Sequence, residues 1–368
     1  MKPVLFNFSD AQLAQFVTDM GLPRFRAAQI REWLNRGAPD FSVMKNLPAD
    51  LRTRLNDVAQ TMPCRIIRKL ESSDGQTTKF LLEMTDGEQI ECVLMRTSYG
   101  NSVCVSSQAG CAMGCRFCAS TLLGLKRNLT ANEIIAQVLT AQWELRRTRT
   151  DRENVRANGD PNNGDVSHIV IMGTGEPLQN TENVIDFIER ANRDLGIGWR
   201  RITLSTCGIV PGIKRLIEWG RPINLAISLH APTDELRGQI MPINNRYKLA
   251  DVLAAADEFT ALHNRQLMIE YILLARRDAN GEIELYNATP EYAEKLAGLL
   301  AGKNCMVNLI PWNAVDERDF ASPSGNAVHR FQDALIQRGI HTRIRRERGT
   351  DIGSACGQLR LNNARAKK

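Results

Sequence analysis

The chain has 368 residues, 43% of them hydrophobic, with nine cysteines and a formal net charge of +6. That length and apolar content can bury one large core plus a small appendage. No run of about 18 apolar residues is present and the start MKPVLFNFSDAQ has no apolar secretion segment, so a membrane-spanning chain and a disulfide-stapled secreted scaffold are excluded and a soluble, cytoplasmic monomer with no membrane partner is expected. In a reducing compartment an odd number of cysteines points to ligands, nucleophiles or buried thiols. The positive charge favours a polyanionic partner only weakly by itself.

The first segment reads as helical. Ser9 caps a run with Leu13, Phe16, Val17 and Met20 at helical spacing, closed by Gly21. Pro23 opens a second amphipathic helix through Ala27, Ile30, Trp33 and Leu34 to Gly37, and a third runs from Pro48 through Leu51 and Leu55. Together they predict a small helical accessory unit over 1–62. From Arg65 the hydrophobic period changes to two, and Asp74-Gly75 and Asp86-Gly87 suit type I′ hairpin turns, so 65–106 reads as an antiparallel meander and 63–103 as a linker.

Beyond it, apolar strands at 168–172, 201–205, 224–228, 267–274, 306–310 and 341–346 alternate with amphipathic helices such as 181–191, 249–262, 290–300 and 327–338. This alternation predicts an α/β fold with a parallel sheet and right-handed crossovers, a core over 104–350 and a terminal segment over 351–368. Such a sheet places ligands at the C-terminal ends of its strands, which is where the motifs fall. Two polar stretches, 146–165 and 276–287, read as solvent loops.

Cys111-Ala112-Met113-Gly114-Cys115-Arg116-Phe117-Cys118 sets three thiols at the spacing C-x3-C-x2-C. Three thiolates can hold three irons of a [4Fe-4S] cube and leave the fourth open for chemistry. A closed zinc site wants four ligands, usually two C-x2-C pairs, and the sequence has no second pair. Flanking Gly110 and Gly114 mark a loop rather than a core strand.

This spacing, with an aromatic before the last cysteine, resembles the radical S-adenosylmethionine (SAM) superfamily. The longer string CVSSQAGCAMGCRFCASTLLGLKRNLT from Cys104 resembles the RlmN/Cfr family of RNA adenosine methyltransferases. The resemblance continues through GTGEP at 173–177, ITLSTCGIVP from Ile202, AISLHAP from Ala226, MPIN from Met241, VNLIPWN from Val307 and DIGSACGQL from Asp351, in the family's order over most of the chain. It implies a partial (β/α)6 barrel with a helical accessory domain that helps to hold RNA.

The resemblance also implies a chemistry. Adenine C2 lies between two ring nitrogens and is electron-poor, so it does not accept the electrophilic methyl of SAM directly. In the family pattern Cys356 takes a methyl from one SAM, a 5′-deoxyadenosyl radical made from a second SAM at the cluster abstracts hydrogen from it, and the methylene radical adds to C2. Cys104 matches the cysteine that resolves the resulting thioether through a transient Cys104–Cys356 disulfide, and Glu91 matches the residue that handles the C2 proton. Cys111, Cys115 and Cys118 would ligate the cluster; Gly175, Glu176, Ser205, Ser228, Leu229, His230 and Asn313 would contact SAM.

Read without the resemblance, Cys104 in Val103-Cys104-Val105 passes as an interior strand thiol, Glu91 as a strand's solvent-face charge, and His230 as a structural histidine. The segment around Cys356 shows no packed strand or helix. Thr174 and Cys207 depart from the family's usual residues beside the SAM pocket, and Cys64, Cys92, Cys207 and Cys305 read as ordinary thiols. Lys126, Arg127, Arg200, Arg201, Arg338, Arg343, Arg345, Arg346 and Arg348 are candidates for phosphate contact.

The implied substrates are 23S rRNA, at position 2503, and adenine 37 of tRNAs, methylated at C2 with a one-electron donor such as flavodoxin or ferredoxin. Two other readings stay open: C8 methylation of the same rRNA adenine, conferring antibiotic resistance, and a non-enzymatic iron-sulfur RNA-binding regulator.

Overall fold

The computed structural model describes residues 2–150, 164–278, 280–315, 317–345, 349–352 and 358–366. Helices α1 (Asp10–Asp19), α2 (Phe25–Asn35) and α3 (Ala49–Val58) form the predicted N-terminal unit. Ser9 accepts the Gln12 N–H while Gln12 reaches back to the Ser9 N–H, a reciprocal cap that satisfies two otherwise unpaired donors of α1. The helices bury Leu13, Val17, Ile30, Leu34, Leu51 and Leu55 in the hydrophobic core.

Strands β1 (Cys64–Glu71), β2 (Thr77–Met84), β3 (Gln89–Thr97) and β4 (Gly100–Cys104) make the antiparallel meander. Its two hairpins differ from expectation. The Gly75 N–H donates to the Ser72 carbonyl and the Gly87 N–H to the Met84 carbonyl, and in each only the glycine has positive φ. Type I′ would need positive φ at both central residues, so these are four-residue turns each ending on a left-handed glycine.

The short ladder β5 (Gln108–Ala109) with β6 (Arg127–Asn128) brackets the cysteine loop, and helix α4 (Ala131–Thr150) follows. Then come β7 (Val166–Ile171), α5 (Thr181–Leu195), β8 (Ile202–Thr206), α6 (Val210–Trp219), β9 (Asn224–Ser228), α7 (Asp234–Ile240), α8 (Leu249–His263) and β10 (Leu267–Leu273). The hairpin β11 (Ala275–Arg277) with β12 (Ile283–Leu285), α9 (Pro290–Leu300), β13 (Cys305–Pro311), α10 (Gly325–Gln337), β14 (Thr342–Ile344) and α11 (Gln358–Ala366) complete the chain.

One ten-stranded sheet runs in the order β1-β2-β3-β4-β7-β8-β9-β10-β13-β14. β4 pairs antiparallel with β3 and parallel with β7, so the meander continues into the parallel sheet without a break, and parallel pairing holds from β4 to β14. Successive side chains face opposite sides of a strand. In β8, β9 and β13 the apolar set Ile202, Leu204, Leu225, Ile227, Val307 and Leu309 is buried, while Thr203, Ser205, Asn224, Ser228 and Asn308 stand half-buried. This is a mixed α/β sheet forming a partial barrel, with a polar inner face and helices packed outside.

Two expectations are corrected. The stretch 276–287 is not a bare loop: it carries β11 and β12, turned at Asp278, whose carboxylate accepts the N–H groups of Asn280 and Glu282, and it ends in fully buried Asn287. Polar composition concealed it because a two-stranded ribbon at the barrel rim needs few apolar residues. The stretch 146–165 begins as the last turn of α4 and closes with Arg146 paired bidentately to Asp165; residues 151–163 lie outside the described ones. No described helix is long and apolar enough to cross a membrane.

The cap on α1 yields a stability prediction. Ser9→Ala should lower the free energy of unfolding by about 1 kcal/mol, and Ser9→Thr by less. Urea denaturation followed by circular dichroism measures both; equal loss in the two variants would show that the cap does not matter.

Candidate active site

Residues 111–118 lie at the end of the sheet where β7, β8, β9 and β13 have their C-termini. Cys111 and Cys115 are buried and Cys118 is half-buried. The loop has almost no regular structure of its own, so its neighbours hold it. Arg116 N–H donates to the Ile240 carbonyl (2.9 Å), Trp312 Nε1 to the Phe117 carbonyl (3.1 Å) and Arg318 Nη2 to the Cys118 carbonyl (2.7 Å). Thr121 Oγ1 donates to the carbonyls of Cys115 (3.2 Å) and Cys118 (3.0 Å). At Gly110, with φ +90°, a Cβ would lie 1.8 Å from the Gly124 carbonyl oxygen, so only glycine admits this entry into the loop.

Burial pushes the Cys111 thiol up to about 12, a backbone hydrogen bond opposing it and the charge of Cys118 adding to it. Cys115 is driven well above the ordinary thiol value, first by burial and then by Cys118 and Cys111. Cys111 and Cys115 thus resist ionisation in the bare protein, and a bound cation, as in metal ligation, supplies what would favour their thiolates. Among the described residues no three His, Cys, Asp or Glu side chains converge on one ion. Thiolates on one zinc stand about 3.8 Å apart, from the Zn–S length and tetrahedral angle; thiols on three separate irons need not converge. Three thiols on one loop, two buried and one half-buried, are the donor type a cubane cluster takes.

The strand ends beside this loop carry the SAM candidates. Gly175 has φ +111° and a Cβ there would meet the Gln108 backbone N at 2.9 Å and its Cβ at 2.6 Å, so the GTGEP turn lies flat against β5. Glu176 is buried: Oε1 accepts from the Leu178 N–H (3.0 Å) and Thr206 hydroxyl (2.7 Å), and Oε2 from the Cys207 N–H (2.8 Å). Burial raises its pKa and these donors oppose the rise. Its carboxylate is spent on holding the ends of β7 and β8 together. Ser205 and Ser228 face each other across β8 and β9, Oγ to Oγ 3.4 Å, and half-buried Asn313 follows β13. Leu229 is fully buried, with its N–H on Glu270 and its carbonyl on Arg237.

His230 has φ +60° and its Nδ1 accepts the Ile272 N–H at 3.0 Å, which leaves the proton on Nε2. Its ring stands edge-on to Phe117 of the cysteine loop, centroids 4.9 Å apart. Burial, helped by the positive charge of Arg237, lowers its pKa to about 3.

Glu91 and Cys104 sit on the next strands of the same sheet. Glu91 is buried, not a solvent-face charge: Oε2 lies 3.7 Å from Lys79 Nζ, and Oε1 accepts the Arg360 N–H at 2.8 Å. Arg360 is in the first turn of α11, so Glu91 caps that helix from a distant strand. Asn363 Nδ2 also donates to Gln89 Oε1 (2.8 Å). The sequence showed no packed helix near Cys356 because α11 is short and polar; it forms on β3 using this cap. Cys356 lies outside the described residues, two positions before α11 begins. Cys104 is the buried last residue of β4, between β3 and β7. The eight described cysteines form no disulfide.

Glu270 and Asn308, two residues beside the predicted Ser228, went unnoticed in the sequence. Ser228, Glu270 and Asn308 lie in register across β9, β10 and β13, and Asn308 Nδ2 bonds both Glu270 oxygens (3.2 and 2.9 Å). A single charged or amide residue at the centre of each of the apolar strands β10 and β13 was the available signal. Arg127 is removed as a free phosphate contact: it binds Asp86 (2.5 Å) and Glu133 (2.8 Å). Arg338 pairs with Glu294, Lys126, Arg200, Arg343 and Arg345 are exposed, Arg201 is half-buried, and Arg346 and Arg348 lie outside the described residues. Cys207 is a buried core thiol whose Sγ lies 3.4 Å from Met113 Sδ in the cysteine loop.

A buried neutral histidine costs stability on acidification. The folded pKa of His230 is about 3 and the unfolded one 6.5, so its contribution is complete above 6.5 and declines between 6.5 and 3. Cluster-free protein should lose about 2 kcal/mol through this residue between pH 7.5 and pH 5, and His230→Gln should show a correspondingly flatter profile in urea unfolding. Parallel profiles would contradict the assignment.

Residues 105–275 match the Radical SAM superfamily and residues 4–61 match the ribosomal RNA large subunit methyltransferase N-terminal domain. A protein of Symbiobacterium thermophilum named "Probable dual-specificity RNA methyltransferase RlmN" is 47% identical, covering 97% of this chain and 90% of its own; the protein of that name in Bacillus subtilis is 44% identical over 98% and 93%. The crystal structure of a radical SAM methyltransferase from Sphaerobacter thermophilus superposes with a TM-score of 0.80 at 39% identity, covering 97% of this chain and 98% of that one. Identity of this order along nearly the whole of both chains places the cysteine loop, the barrel and the helical domain in one lineage: the chain belongs to the RlmN family of radical SAM RNA methyltransferases.

Proposed function

We propose that this protein methylates C2 of an adenine in 23S rRNA, at position 2503, and adenine 37 in tRNAs, carrying the methyl on one of its own cysteines. The observation that carries the reading is the bond from Glu91 to the first turn of α11, which joins the proposed proton acceptor to the helix beginning two residues after Cys356.

Cys111, Cys115 and Cys118 would hold the [4Fe-4S] cluster in this reading, and Gly175, Ser205, Ser228, Leu229, His230 and Asn313 would contact SAM, with Glu176 fixing the rim. When bound, the cluster supplies the electron that makes SAM a hydrogen-abstracting radical source. The chain's own residues do the rest. Cys356 takes up the methyl carbon as a sulfur nucleophile and presents it to C2. Glu91 accepts the C2 proton; Lys79 stands beside it to balance the charge. Once the adduct has given its unpaired electron back to a one-electron carrier, Cys104, on the buried end of β4, attacks the Cys356 sulfur; the C–S bond pair passes to the departing carbon, which takes a proton to become the methyl, and a Cys104–Cys356 disulfide remains. Flavodoxin or ferredoxin serves as electron donor, and the protein works as a cytoplasmic monomer.

The units in this reading are an RNA-holding helical domain at 1–62, a meander at 63–103, the barrel at 104–350 and the methyl-carrying segment at 351–368. Exposed Lys126, Arg200, Arg343 and Arg345 contact phosphate. C8 methylation would use the same residues, whereas a non-enzymatic regulator would need neither Glu91 nor Cys356.

Three measurements test this. Alanine at Cys111, Cys115 and Cys118 together should abolish iron content in anaerobic preparations; full retention would remove the cluster assignment. Nucleoside mass spectrometry of RNA from cells lacking the gene should show loss of 2-methyladenosine; loss of 8-methyladenosine instead would reverse the regiochemistry. Cys104→Ala should leave RNA covalently attached through denaturing electrophoresis, and the adduct should vanish when Cys356→Ala is added; normal turnover without adduct would refute the resolving role.

A further inference from the structure

Arg237, on α7, is fully buried, and among the described residues its hydrogen bonds go to no carboxylate. Its Nε donates to the Leu229 carbonyl (3.0 Å), Nη1 to Asn244 Oδ1 (3.1 Å), and Nη2 to the carbonyls of Cys207 (2.7 Å) and Ser228 (3.2 Å). Every acceptor is neutral. A guanidinium cannot shed its proton, and a charge taken from water without an anion costs several kcal/mol. The hydrogen bonds orient this cation without cancelling it.

The carboxylates of the neighbourhood are committed elsewhere. Asp234 accepts the Leu249 N–H, and Glu176 is held by Leu178, Thr206 and Cys207. Cys207, Cys115 and, after them, Asp234 lie within the electrostatic reach of Arg237. Its Nη2 holds the carbonyl of Cys207, whose Sγ lies 3.4 Å from Met113 Sδ in the cysteine loop, and the Ile240 carbonyl, three residues along α7, takes the Arg116 N–H and so fixes the helix against that loop.

We propose that Arg237 is the built-in countercharge of the iron-sulfur centre, a positioning residue whose fixed positive charge compensates the ligating thiolates and favours the cluster's reduced form. The proposal rests on Cys111, Cys115 and Cys118 being the ligands, as argued above. Reduction by one electron adds one negative charge at the centre; a cation held beside it lowers the energy of that state more than of the oxidised one. Neutral acceptors are required for this, because a carboxylate on Arg237 would cancel the field.

The test is a spectroscopic redox titration of anaerobic, cluster-loaded protein. Arg237→Gln removes the charge; Asn244→Asp leaves Arg237 in place but pairs it; Arg237→Lys keeps the charge. At the potential that half-reduces the native cluster, the Gln and Asp variants should show a reduced-to-oxidised ratio lower by on the order of tenfold, about 59 mV for a one-electron couple. The Lys variant should stay within about threefold of native, since its charge is retained. An unchanged ratio in either charge variant overturns the proposal, and so does a change in the Gln variant alone, which would assign the effect to lost hydrogen bonds. Unfolding of both charge variants as cluster-free protein would assign the cation to the fold and overturn it too. Iron content of the cysteine variants fails or stands separately, so the ligand assignment and the countercharge are distinguished.

Discussion

The cysteine loop has to be held from outside. Residues 111–118 make no strand and no α-helix, so the backbone there must bond to whatever surrounds it. It is met by Ile240 at the end of α7, by Trp312 after β13 and by Arg318 beyond it. These three come from parts of the chain more than a hundred residues away from the loop. Three thiols at short spacing are therefore a site only when the parallel sheet has brought those strand ends together.

The rim obeys the same economy. A buried carboxylate is unfavourable unless several donors reach it. Glu176 meets that condition by taking the Leu178 and Cys207 N–H groups and the Thr206 hydroxyl, and in doing so it joins the turn after β7 to the turn after β8. Gln108 Oε1 accepts the Glu176 N–H from the strand before the cysteine loop, which locks the third edge. Arg237 performs the equivalent task on the other side, holding the carbonyls of Cys207, Ser228 and Leu229. An anion and a cation, each satisfied by neutral groups, thus frame the loop without pairing to each other among the bonds described.

Two distant parts of the chain meet at the sheet. Glu91 lies in the antiparallel meander and α11 at the far end of the chain, 269 positions away, yet one hydrogen bond joins them. The continuity of β3, β4 and β7 in one sheet places Cys104 between that meander and the barrel. A meander attached by a flexible linker could not hold Glu91 and Cys104 at a fixed separation from the cysteine loop; a shared ladder can.

Much of this was legible in the residues. The helical spacing after Ser9, the change of period at Arg65 and the β-α alternation follow from local sterics and from the need of each element to bury one face, so the sequence by itself determined the elements, the fold class and the candidate ligands. It did not determine the hairpin turns, where one rather than two residues took positive φ, nor β11 and β12, whose polarity hid them. Whether Glu91 was solvent-facing, whether Arg127 was free for phosphate, and whether Arg237 had an anion were decided only by tertiary structure. The reason is physical: a residue's charge state and availability depend on which distant groups share its burial, and no spacing along the chain encodes that distance.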